Sequence, residues 1–402
     1  MKKWKLYLEY FNVGLLSIIV FLIPNSHNFI SPFIAFWGVS SLGLIFIKKK
    51  KLSFNKPLIL LVFFYILLII GLVWTDNMKA GGFDLEVKMS LLIFPLLLLF
   101  LEYTLKQLRW IIVAFLAGLL FSCFTLILFG FSRYSEGADI NTFLYSDLSF
   151  VIHPTYMSMY FVIGIMILLM DLKAKVFVFK NWVIAFLILL FFVFVLMLLS
   201  KAGVIILSIY LFIVIVIWSI QKQKIVYPIM FSFAIVCMLL FSYKKSKVVQ
   251  HRVDELIVGL TTKKSTGSNG STGIRLRIWK EGIHLIKESP IFGYGTGDVK
   301  NVLLNRYDEV YMCKAFDKRL NAHNQFIQIA ISLGLVGLFV FLLSLFETVK
   351  NGFKTKNFFK VSFVVIFVMY ALTESMLENQ AGTIFFGLFF SLLNQKALIK
   401  NE

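Results

Sequence analysis

Apolar residues in this chain come in long unbroken runs, separated by short polar stretches. Each run is long enough to cross a bilayer, which takes roughly 17–25 residues of helix. The runs predict helices at approximately 8–23, 29–47, 57–74, 89–104, 110–130, 149–170, 181–199, 203–220, 225–243, 324–348, 360–377 and 381–395. The pattern therefore predicts an all-α polytopic membrane protein with about 12 transmembrane helices. The opening MKKWKLYLEYFNVGLLSIIVFLIPN is basic and then apolar, like a secretory signal. It lacks a small-x-small cleavage site and further spans follow, so it reads as a retained first helix. One polar stretch of any size interrupts the series. It divides a single integrated membrane domain into helices 1–9 (1–243), a long loop with short helices (244–322) and helices 10–12 (323–402).

Composition agrees with the pattern. Hydrophobic residues make up 59% of the chain, against about 45–50% in a soluble domain, and the mean hydropathy is +0.86; the excess has to face lipid. The formal charge of +19 raises the question of nucleic acid, but its distribution argues against that partner. More than half of the 40 Lys and Arg fall between runs on one side: Lys2, Lys3 and Lys5; Lys48 to Lys51 with Lys56; Lys106 and Arg109; Lys173, Lys175 and Lys180; Lys222 and Lys224; Lys350, Lys354, Lys356 and Lys360; Lys396 and Lys400. The short loops of the other side hold Lys79, Lys88, Arg133 and Lys201. By the positive-inside rule both termini are expected in the cytoplasm. Of the three cysteines, Cys123 and Cys237 fall within runs and Cys313 is alone in a loop, so no disulfide framework is expected.

The long loop is then outside, where loops of that length translocate regardless of charge. It carries 15 Lys and Arg against 8 Asp and Glu. A solvated face, contact with anionic headgroups and an anion-binding site all fit that excess. Within it, KKSTGSNGSTG (263–273) is a Gly/Ser/Thr linker. IRLRIWKEGIHLIKES (274–289) reads as an amphipathic helix through Ile274, Ile278, Ile283, Leu285 and Ile286, ended by Pro290 and the turn-rich FGYGTGD. Short glycine runs of this kind can form a backbone nest for phosphate, or can simply turn the chain.

Ionisable residues in or beside membrane spans tend to mark function. His153 opens the sixth run, Lys201 sits in a tight SKAG turn, His323 opens the tenth run, and Glu374 and Glu378 lie near the end of the eleventh. All are at the outer face; none is at mid-membrane, where a proton relay or ion pathway needs charge. Each also has a plain explanation: His153 before Pro154 as a helix start, Lys201 reaching for headgroups, the glutamates as solvated interface groups. His323 stands out, because Gly334 follows eleven residues on, about three turns at 3.6 residues each. That places both on one face, where a small residue lets a neighbouring helix approach. The helix dipole there disfavours imidazolium, and a neutral imidazole is what a general base needs.

His323, Asn324, nine residues, Gly334, two residues and Gly337, together with Arg275-x-x-x-Trp279 followed by Pro290 and Gly293-x-Gly295, resemble the O-antigen ligase and polymerase family, most closely the ligases. These are bacterial GT-C type membrane glycosyltransferases. The likeness covers the architecture of the whole chain, with its motifs concentrated in 270–340. It implies a donor glycan on undecaprenyl diphosphate and, for a ligase, a hydroxyl of lipid A-core as acceptor, at the outer face of the bacterial inner membrane. It further implies His323 as catalytic base, with inversion, and Arg275, Arg277, Lys201, His153, Asn324 and Glu374 as substrate-binding residues. Many relatives have Arg where this chain has Lys201, and lysine gives a point charge without a bidentate fork. The first outer loop, PNSHNFISP, has no Asp or Glu, so no metal or other cofactor is expected.

Two other activities in the same class, O-antigen polymerase and protein O-oligosaccharyltransferase, share these features and differ in the acceptor. A flippase or other transporter of lipid-linked glycans suits twelve spans but not the lack of mid-span charge. His323, Arg275, Lys201 and His153 are expected to line one cavity.

Overall fold

The computed structural model describes residues 3–26, 29–149, 151–175, 179–224, 227–230, 243–244, 250–251, 253–254, 257 and 271–395. Its elements are α1 (Lys3–Leu22), α2 (Ile30–Lys48), α3 (Lys56–Ile70, continued by a 3-10 turn, Gly71–Trp74), α4 (Met78–Lys88), α5 (Ser90–Leu98), α6 (Leu105–Ser135), α7 (Tyr145–Leu148), α8 (Pro154–Ala174), α9 (Asn181–Met197) and α10 (Lys201–Lys222). After residues 225–270 come α11 (Ser271–Glu288), α12 (Val299–Glu309), α13 (Cys313–Asp317), α14 (Gln325–Lys354), α15 (Phe358–Ala371) and α16 (Gln380–Leu393). Among the described residues there is no strand. Seven helices among the described residues are long and apolar enough to cross a membrane, and α9, α15 and α16 are shorter apolar ones. The all-α multi-pass expectation is borne out. Most of the span expected at 225–243, most of the 263–273 linker, Cys237, Lys396 and Lys400 lie outside the described residues.

One expected span is built differently. The run at 89–104 gives only the nine residues of α5, which holds Pro95 inside it, and α4 precedes it. Asn77 starts α4 by accepting from the Ala80 amide. The helix was hidden because MKAGGFDLEVK has neither a long apolar run nor a clear apolar face. Elsewhere the local signals act as written. Thr104 and Gln107 form a reciprocal capping box at the head of α6, and Pro154 fills the first position of α8 with His153 as its cap.

The helices pack as neighbours in sequence and across it: α1 on α2 and α6, α3 on α14, α8 on α9, α5 on α16. Apolar side chains gain nothing by leaving lipid for one another, so close fit and polar contacts hold such a bundle. Aromatic packing supplies the fit around α15 and α16, where the rings of Phe367 and Phe386 stack with centroids 4.1 Å apart. Polar glue lies between α1 and α2: Asn12 donates to Ser40 Oγ and Ser41 Oγ at 2.7 and 2.8 Å, and accepts from the Tyr103 hydroxyl at 2.5 Å. A second, smaller core, centred on Ile278, Leu285, Leu303 and Tyr307, joins α11 and α12 to Ile331 of α14.

The heads of α8, α10 and α14 and the tail of α15 meet at one end of the bundle, and α11 lies across them. Two of these elements are locked by a break in α14. Gly334 has φ 63° and ψ −164°, so the helical bonds from Leu335 N to Ile331 O and from Val336 N to Ser332 O cannot form there. Each freed group finds a partner in the turn after α11. Tyr294 N and Gly295 N donate to the Ile331 and Ser332 carbonyls (2.9 Å each), while Leu335 N and Val336 N donate to Pro290 O (2.8 Å) and Ile291 O (3.4 Å). Broken backbone at membrane depth survives only when protein re-satisfies it in this way.

Candidate functional site

That lock places α11 beside the chain entering α14. Arg275 and Trp279, four residues apart on α11 and therefore on one face, both reach that entry. The Trp279 indole N–H donates to His323 O at 3.3 Å. The Arg275 guanidinium donates to Glu374 Oε2 at 2.9 Å, and Glu374 Oε1 lies 2.8 Å from His323 Nδ1. One carboxylate thus joins the arginine to the histidine. Glu374 is buried while its two partners are partly exposed.

His323 is not the first residue of the helix, as the spacing to Gly334 implied. It precedes the cap in left-handed backbone (φ 44°), with its N–H donating to Asn321 Oδ1 at 3.0 Å. The shared-face argument for His323 and Gly334 fails for that reason and because Gly334 interrupts the helix. Asn324 is the cap: its Oδ1 accepts from Phe326 N and Ile327 N at 3.0 and 3.2 Å. Its amide nitrogen donates to Leu372 O (3.2 Å), and its backbone N–H to Ser375 Oγ (3.3 Å). Asn324 thus pins the head of α14 to the 372–379 connection, and so holds His323 against Glu374. Glu374 and Glu378, expected one turn apart on a helix, both lie in that connection, because α15 ends at Ala371.

In a neutral imidazole this contact selects the tautomer with its hydrogen on Nδ1 and its lone pair on Nε2. Burial alone raises the Glu374 carboxyl, but the hydrogen bond from His323 and the charges of His323, Arg275 and His153 outweigh it and hold it below the usual glutamate value. His153 stands near all three. Burial, with Arg275 and His323 adding to it against the pull of Glu374, lowers its imidazole and favours the neutral form. Lys201 opens α10 under a Ser200 cap and donates to Ser271 Oγ at 3.3 Å, one turn of α11 before Arg275. His323, Arg275, Glu374, His153 and Lys201 are therefore gathered at one end of the bundle. Arg277 is not: two positions past Arg275 it points about 200° away around α11.

The Gly293–Gly297 run forms no phosphate nest. The amides of Tyr294, Gly295 and Thr296 are bonded to Ile331, Ser332 and Gly71 carbonyls, and that of Gly297 to Thr75 Oγ1. The turn is glycine-rich because backbone presses on it: a Cβ on Gly293 would lie 2.5 Å from Ile331 O. Asp298, after the turn, accepts from the amides of Asp76 and Asn77 at 2.7 and 2.9 Å and so seats α4. Sequence reasoning missed what α4 carries. Lys88 pairs with Asp84 at 2.6 Å and with Glu378 at 2.8 Å. Burial pushes the Asp84 carboxyl up to about 6, against the pull of Lys88 and with Glu378 adding to it. Only the four-residue spacing of Asp84 and Lys88 hinted at the pair.

Residues 184–342, which hold Lys201, Arg275, Trp279, His323 and Gly334, match the O-antigen ligase family; the resemblance drawn from the motifs is borne out. The chain is also 27% identical over 128 residues to a Haemophilus influenzae protein named "Uncharacterized protein", a match covering 29% of this chain and 32% of that one. It is 30% identical over 106 residues to a Rickettsia felis protein named "Putative polysaccharide ligase", covering 25% and 26%. The matched segments span about a third and a quarter of the lengths of these relatives.

Proposed function

We propose, from the premise that residues 184–342 are of the O-antigen ligase family, that this protein is a membrane glycosyltransferase. It would move a glycan from undecaprenyl diphosphate to an acceptor hydroxyl, with lipid A-core as the acceptor expected of a ligase. The observation that carries the reading is the single carboxylate shared by His323 and Arg275. His323 Nε2 takes the proton of the acceptor hydroxyl. The hydroxyl oxygen attacks the anomeric carbon as the bond to the diphosphate oxygen breaks, and configuration inverts. Glu374 balances the imidazolium that forms, and the lipid diphosphate leaves with the bonding electron pair. Arg275 uses one N–H on Glu374, and its remaining donors, with the Lys201 ammonium and His153, suit the charge that grows on the leaving group. Arg277, on the far side of α11, has no part in this clamp.

The same chemistry serves an O-antigen polymerase or a protein O-oligosaccharyltransferase, with only the acceptor changed. The charged groups gathered at one end of the bundle favour transfer over transport. In this reading that end is the periplasmic face of a GT-C-like enzyme in the inner membrane, with both termini in the cytoplasm.

The test is transfer by purified protein from a defined lipid-linked donor. Arg275→Ala should lower donor kcat/KM by about 10²-fold, the scale of one lost oxyanion donor. Arg275→Lys should recover part of it, since the charge returns without the planar fork. Unchanged donor kinetics in the alanine variant would remove the clamp. EDTA should leave the wild-type rate intact; inhibition that a divalent ion reverses would overturn the metal-independent mechanism while sparing the family.

A further inference from the structure

A cavity of about 370 Å³ lies next to the cluster around His323, between α3, α4, α12 and α14, and none of His323, Arg275, Glu374, His153 or Lys201 lines it. The cluster of His323, Arg275, Glu374, His153 and Lys201 therefore has a chamber beside it. The two are close along the chain: Asn321 and Gln325 line the cavity on either side of His323, and Leu377 and Glu378 line it just after Glu374. Two peptide steps of about 3.8 Å separate each flanking residue from His323.

The walls have the chemistry of a sugar site. Phe83, on α4, is 67% exposed although it lines the cavity. Its ring face carries the negative part of the quadrupole, which suits the C–H face of a pyranose. Around it stand the planar polar groups of Asp84, Asn321, Gln328 and Glu378, donors and acceptors mixed, as hydroxyls require. Lys88 is already paired with two carboxylates, and Lys300 and Arg319 add two more cations to the lining. Gln325 gives a second, independent sign. It is 1% exposed, its Oε1 accepts from Leu377 N at 2.6 Å, and its Nε2 is buried with no hydrogen-bond partner. A buried donor left unmade costs about 1–3 kcal/mol, a cost that a ligand oxygen removes.

We propose that this cavity is the acceptor-sugar subsite, seating a pyranose ring against Phe83 with a hydroxyl directed to His323. The assignment rests on the reading of His323 as the base. A transferase needs its two substrates on either side of that base. Arg275 and Lys201 on the α11 side suit the diphosphate, and the exposed Phe83 ring with its polar neighbours on the other side suits the second saccharide. α4 is held there by Asp298 and by the Lys88–Glu378 pair, so the aromatic platform and the connection carrying Glu374 are fixed together.

The test uses the full chain in detergent and saturation-transfer NMR with methyl glycosides of glucose, galactose and N-acetylglucosamine. At least one should receive saturation on its ring protons. Phe83→Ala and Gln328→Ala should each cut that signal fivefold or more, and Phe83→Trp should keep it. Phe46→Ala, which removes another exposed ring (78%) at the other end of the bundle, should change nothing. In the transfer assay the same two alanine variants should raise acceptor KM at least tenfold with donor KM within twofold. No saturation of any glycoside, or wild-type signal in both alanine variants, overturns the proposal, as does a rise in donor KM instead. Wild-type protein that binds a glycoside through Phe83 yet transfers nothing from the lipid-linked donor would keep the subsite and remove the transferase reading.

Discussion

His323→Gln is expected to lower kcat for glycan transfer by about 10²–10⁴-fold, the usual cost of removing a positioned base, with insertion and donor binding retained. Glutamine keeps a hydrogen bond toward Glu374 or the acceptor but cannot take a proton. A folding explanation can be separated from a chemical one, because residue 323 sits in left-handed backbone. Asparagine tolerates that region better than most residues, so His323→Asn should fold at least as well and be equally inactive. Glu374→Gln should give a smaller loss, since its amide oxygen still accepts from Nδ1–H while the charge that balances imidazolium is gone. All three are read as kcat and donor KM on purified protein. If His323→Gln turns over near the wild-type rate, the histidine positions the acceptor and does no proton transfer.

Gly334→Ala should do comparable damage through the backbone alone. Its φ and ψ of 63° and −164° belong to glycine, and a non-glycine residue held in such a region costs about 1–3 kcal/mol. An added Cβ would also sit 2.1 Å from Ile291 O, a backbone atom held by its own hydrogen bond, and overpacking typically adds about 1–3 kcal/mol. A marked fall in thermal midpoint in detergent is expected, and transfer should fall with it because the turn that seats α11 against His323 is displaced. Gly14→Ala is the control: nothing lies within 4 Å of its added Cβ, and alanine is the better helix former. A Gly334→Ala protein with the wild-type midpoint would mean that the turn does not lock the two elements.

What the sequence made legible follows from how membranes filter residues. Charges are rare in oil, so His153, Lys201, His323 and Glu374 stood out, Arg275 came from the motif it shares with Trp279, and the structure brings all five together. Geometry was harder to read, because hydropathy does not register a break in a run that is apolar throughout. LeuGlyLeuValGly at 333–337 looks the same straight or bent, and the break at Gly334 left no trace. Leu372, Met376 and Leu377 extended the eleventh run past its true end at Ala371, which put Glu374 on a helix that it follows. The opposite error hid α4: with two glycines and alternating charge it resembled a loop, and Asp84 and Lys88 went unread with it.

The pairing of the 290–295 turn with the broken helix has a mechanical meaning. The two helical bonds that α14 gives up at Gly334 are replaced by four to a segment outside the helix, so neither piece can open alone without orphaning amides of the other. Amide protons of Tyr294, Gly295, Leu335 and Val336 therefore belong to one cooperative unit of unfolding. The segment between α11 and α12 inherits the rigidity of α14 at this seam, and any breathing of this end of the bundle has to take place elsewhere on its rim.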